Sequence, residues 1–91
     1  MKKIEFYQFS GAEFCHLRKK MRFTKTEMAE MLELSLPMIS LIESGKRALS
    51  PEASNLFVDV VKKYLDYKIN MSVDTFLKIQ LRDLKNEHTE K

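Results

Sequence analysis

The 22 residues from Thr24 to Gly45 carry two helix-start signals and one stop signal. That spacing leaves room for two short helices and a tight turn, and for little else. Thr24 and Glu27 form a capping box, the threonine hydroxyl accepting from the Glu27 amide while the carboxylate reaches back to the Thr24 amide. A helix therefore starts at Lys25 and stops at Glu33-Leu34, because Ser35 is a second capping residue and Pro37 falls in the next first turn, where its missing N–H costs nothing. The helix that Ser35 opens runs to about Ser44. Gly45 then stands where a left-handed C-terminal cap needs glycine.

Inward positions follow from the helical period. They are Met28, Ala29 and Leu32 on the first of the two helices and Ile39 and Ile42 on the second, with Ala29 small enough for a close helix crossing. Ser10 caps an earlier helix from near Gly11, whose stripe is Phe14, Leu17 and Met21. Ser50-Pro51-Glu52 opens a fourth helical region with a broad face of Leu56, Phe57, Val60, Val61, Tyr64 and Leu65. The pattern lapses at Ile69-Asn70. Ser72 caps a last helix with the stripe Val73, Phe76, Leu77, Gln80, Leu81 and Leu84. With two glycines, two prolines and 44% hydrophobic residues among 91, the chain reads as a single all-α core.

Charge is uneven. Residues 1–47 hold nine Lys/Arg against six Glu, and residues 48–91 hold seven basic against seven acidic residues, so the whole excess of +3 lies in the first half. This suits a phosphate-facing surface without establishing one. Cys15 has no internal disulfide partner and reads as a buried small residue, which fits a cytoplasmic protein. The N-terminal MKKIEFYQF lacks the apolar run of a signal peptide, and no segment reaches membrane-spanning length. There is no Gly-rich phosphate loop and no metal-ligand cluster, so neither an enzyme nor a cofactor is expected. His16 reads as a helix-surface residue and His88 as part of a solvated polar tail.

Two short helices joined by a tight turn are the helix-turn-helix spacing that presents one helix to a DNA major groove. The run TKTEMAEMLELSLPMISLIESGKR resembles the helix-turn-helix of the lambdoid phage repressor and Cro family, also called the xenobiotic-response-element type, and the resemblance extends from Ser10 to about Leu65. It implies a five-helix, lambda-repressor-like domain with an extra C-terminal helix. It also implies a scaffold ion pair between Arg18 and Glu43, which stand at the family's matching places. The closing Glu-x-Gly-Lys-Arg is Glu43 to Arg47.

The expected DNA-binding residues are Lys25, Thr26, Leu36, Pro37, Met38, Ser40, Leu41, Ser44, Lys46 and Arg47, of which Lys25, Leu36, Pro37 and Leu41 hold contact positions that the resemblance implies. Lys25 matches a phosphate contact, and Lys46 and Arg47 clamp the other flank. Two departures stand out. The family's usual turn glycine is Glu33 here, which would have to adopt a left-handed conformation at some strain. Leu36, Pro37 and Leu41 hold base-reading positions although none donates a side-chain hydrogen bond, so direct reading of guanine or adenine edges is weak. Lys2, Lys3, Lys19, Lys20 and Arg22 read as solvated.

The chain is thus expected to comprise an N-terminal arm (residues 1–9), extended or strapped on the core, a helix-turn-helix domain (10–67, motif 24–45) and a C-terminal helix with a polar tail (68–91). Val73, Phe76, Leu77, Leu81 and Leu84 are expected to form a dimerisation stripe, the alternative being that they complete the monomer's own core, and Phe76→Ala is expected to split the dimer if that ring lies in the interface. The expected function is a transcriptional repressor binding an operator on double-stranded DNA as a homodimer. The alternative is a protein-interaction module, such as an antitoxin or anti-repressor-like partner, that presents Leu36, Pro37 and Leu41 to a toxin or regulator.

Overall fold

A computed structural model describes residues 8–68 and 70–89, with side chains to Leu84. It contains five helices: α1 (Gly11–Lys20), α2 (Lys25–Leu32), α3 (Leu36–Glu43), α4 (Pro51–Lys68) and α5 (Val73–Thr89). The expected all-α chain is thereby found, with no strand among the described residues. Most of the expected arm, including Lys2 and Lys3, lies outside the described residues, as does the side chain of His88.

Each helix begins where a side-chain oxygen meets its orphan amides. Thr24 accepts from the Glu27 amide at 3.0 Å while Glu27 accepts from the Thr24 amide at 2.9 Å. Ser35 accepts from Met38 at 3.2 Å, Ser50 from Ala53 at 3.1 Å and Ser72 from Thr75 at 3.2 Å. Ser10 does more than cap α1, for Glu13 reaches back to its amide at 2.9 Å and completes a second capping box. These bonds satisfy donors that the helix itself leaves unpaired.

The ends are set as firmly. Glu33 sits at φ 59°, the strained left-handed turn that its position demands. Gly45 follows α3 at φ 84°, and the Lys46 amide bonds back to the Leu41 carbonyl at 2.9 Å, closing the last turn. Arg22 after α1 and Asn70 after α4 also adopt positive φ.

Phe14, Leu17, Met28, Leu32, Ile39, Phe57, Val61 and Leu65 are the fully or almost fully buried centre of the core. Phe14 and Phe57 pack with ring centroids 4.8 Å apart, and Phe9 stands edge-on to Phe57 at 5.2 Å. Of the expected arm, the described Phe9 thus packs on the core.

The fifth helix corrects one expectation. Phe76 and Leu77 are only 4% and 6% exposed, buried in the same core as α1 and α4, with Val73 and Leu81 packed against its edge. Phe76 also meets Tyr64 at 6.2 Å. These two side chains cannot be a dimer surface while the monomer is folded, because the monomer already covers them. Leu84, further along, is half-buried.

Candidate nucleic-acid interface

Helix α3 has two distinct sides. Ile39 and Ile42 are buried, whereas Leu36, Pro37, Ser40, Leu41 and Ser44 are all exposed. At 3.6 residues per turn those five positions span an arc of about 140°, one continuous outward face. Leu36 and Leu41 are 44% and 36% exposed, so this face carries two large apolar side chains in water. Met38 departs from its expected role as a groove contact. It is half-buried and packs against the core, because its position falls between the outward arc and Ile42.

The flanks of the face are basic. Lys25, in the first turn of α2, places Nζ 3.4 Å from the Ser40 hydroxyl and so stands beside the middle of α3. Thr26 is exposed next to it, and Lys46 and Arg47 are exposed just past the α3 C-terminus. Ser44 is partly committed, since its hydroxyl donates to the Leu41 carbonyl at 3.0 Å. Hydroxyls and ammonium groups at these places can bond phosphate oxygens, and Leu36 and Leu41 can meet thymine methyls.

What aims this face is an ion pair at the C-terminal end of α3. Arg18 Nε donates to Glu43 Oε2 at 2.6 Å and Nη2 to Oε1 at 3.1 Å, a two-pronged pair with both side chains under 10% exposed. Arg18 Nη1 also donates to the Phe23 carbonyl at 2.9 Å, so one guanidinium ties α1, the α1–α2 turn and the end of α3 together. The hydrogen bond to Glu43 outweighs burial and raises the Arg18 pKa. Burial acts against the Glu43 carboxylate, yet hydrogen bonds from Arg18 and Cys15, with the charges of Arg18 and Lys25, hold its pKa below the ordinary value. Cys15 is half-buried with its sulfur 3.9 Å from Arg18 Nη2, a place in the clasp that its spacing did not announce.

A second positioning feature escaped sequence reasoning. A Cβ on Gly11 would collide with the Ile42 carbonyl and lie 3.0 Å from the Glu43 carbonyl and 3.1 Å from the Gly45 amide. The start of α1 thus packs backbone to backbone on the end of α3. Gly11 reads in the sequence only as a helix-start residue, since nothing local marks a contact some thirty positions away.

Among the described residues no cluster of His, Cys, Asp and Glu is placed to hold a metal, and no helix is long and apolar enough to cross a membrane. A family model described as helix-turn-helix matches residues 16–68, more than half of the chain. No curated protein and no solved structure matches it.

Proposed function

The chain belongs to the helix-turn-helix family of Cro/C1 type, and we propose that this DNA-binding transcriptional regulator is a repressor that occupies a two-fold operator as a homodimer. The fold is the lambda-repressor-like one that this membership implies. The observation that carries the reading is the outward arc of α3 with Lys25 beside Ser40 at one flank and Lys46 and Arg47 at the other. Cations bordering an exposed helix match the order of phosphate, groove and phosphate along a duplex.

With Leu36, Pro37 and Leu41 on that arc, affinity comes mainly from phosphates, and sequence preference from thymine methyls, Ser40 and duplex shape. A repressor with weak individual readers gains most from paired half-sites, which is the reason for a dimer. Val73, Leu81 and Leu84, half-buried on α5, are the part of the C-terminal stripe with surface left for a second copy. The operator and the genes beside it are assigned by selecting bound DNA from a random pool with the full chain. Selected fragments should carry two half-sites about one helical turn, roughly 34 Å, apart. Binding should fall steeply with salt, and Lys25→Ala should lower the salt slope by about one. Failure to recover any salt-sensitive complex removes the proposal.

One observation favours a second reading. Leu36 and Leu41 expose apolar surface on a face where most major-groove readers place hydrogen-bonding groups. A protein partner, as for an antitoxin or anti-repressor, would cover that surface. Leu41→Glu separates the two: loss of a co-purifying partner with DNA binding retained supports the protein partner, and the reverse supports the operator.

A further inference from the structure

Between α2 and α4, where the α1–α2 turn also contributes, the surface opens into a cavity of about 530 Å³. Its half-buried walls are Phe23, Met31, Val60 and Tyr64, and its exposed lining is Tyr67, Lys63 and Lys68. Tyr67 is 83% exposed, the most exposed of the large apolar or aromatic side chains described, with the Lys68 ammonium 5.4 Å from its ring centroid. No Asp or Glu belongs to the lining. The operator reading uses none of these residues.

We propose that this cavity binds a small amphipathic anion, an aromatic or medium-chain acid. Its apolar body lies among Phe23, Met31, Val60 and Tyr64 under the Tyr67 ring, and its acid group pairs with Lys63 and Lys68. Two arguments select this occupant. The volume lies within the roughly 300–1,000 Å³ usual for small-molecule pockets, and apolar walls with a few polar groups are the usual lining. The charged groups at the rim are both cations, which attract an anion and disfavour a cation of the same shape.

Two of the three tyrosines in the chain line the cavity, so tyrosine fluorescence reports on it directly. The full chain, without DNA, is titrated with octanoate, octanol and octylammonium, three probes of one chain length and different charge. Octanoate should saturate the signal and raise the melting temperature as its concentration rises, with amide NMR shifts centred on Phe23, Met31 and Tyr64. Octanol should bind about tenfold more weakly and octylammonium more weakly still. The double variant Lys63→Glu, Lys68→Glu should lose the preference for octanoate. Tyr67→Ser should weaken all binding. All three substituted side chains are exposed, so both variants fold.

No saturable response, equal binding of octanol, shifts centred elsewhere, or indifference to the charge reversal would each overturn the proposal. Dissociation of a dimer by Tyr67→Ser, seen in sedimentation, would do so too, by giving the cavity to a second copy. Because DNA is absent from the assay, its outcome is separate from that of the operator selection.

Discussion

Arg18 holds three segments with one side chain, and its partner makes that clasp sensitive to acid. Glu43 has a lowered pKa in the folded chain, so the stability it contributes is fully present above the unfolded glutamate value of about 4.5 and is lost as pH falls through the lower, folded value. At neutral pH Glu43→Gln should cost about 3 kcal/mol, because it leaves the Arg18 charge buried without its counter-ion. In urea unfolding the gap between the wild type and this variant should narrow as pH is lowered past that range. A gap that is constant from pH 7 to pH 3 would show that the pair adds no ionic stability. The pairing of these residues was legible from their places in the motif. The thiol of Cys15 beside them was not, since a half-buried cysteine on a helix has many possible neighbours.

At the scale of elements, each start was readable because caps are local. A hydroxyl bonds an amide three residues on, and Thr24, Ser35, Ser50 and Ser72 all do so. The left-handed Glu33 was readable through the family resemblance alone, because that turn position usually holds glycine there. The crossing of α1 on α3 was not. Gly11 allows it by lacking a Cβ, and the atoms it would strike are backbone atoms that cannot swing aside. Gly11→Ala should therefore destabilise the domain by about 1–3 kcal/mol or displace α3. The loss should exceed the gain an exposed helix normally draws from alanine, which chemical denaturation measures. An unchanged or raised stability would mean that the close approach is dispensable.

For the whole molecule, the revision concerns α5. Its stripe is as apolar as the sequence indicated, yet Phe76 and Leu77 complete the core instead of an interface. Phe76→Ala should then lower the stability of the folded chain by about 3–5 kcal/mol, through lost burial and the cavity left beside Tyr64. The cost should persist at concentrations where the chain is monomeric. A variant that melts normally but sediments as a smaller species would restore the dimer role. An amphipathic stripe does not name what covers it, because burial by the same chain and burial by a second chain need the same residues.

Local chemistry determined much of this protein before any coordinates. Capping hydroxyls and the 3.6-residue period act within a few positions, so the sequence alone determines where the helices start and that Ile39 and Ile42 form the inward side of α3. Tertiary structure decided the rest: the covering of Phe76, the close seat of Gly11, the inward turn of Met38 and the cavity between α2 and α4. Those features depend on which helices meet and at what distance, and such contacts join residues that no local spacing relates.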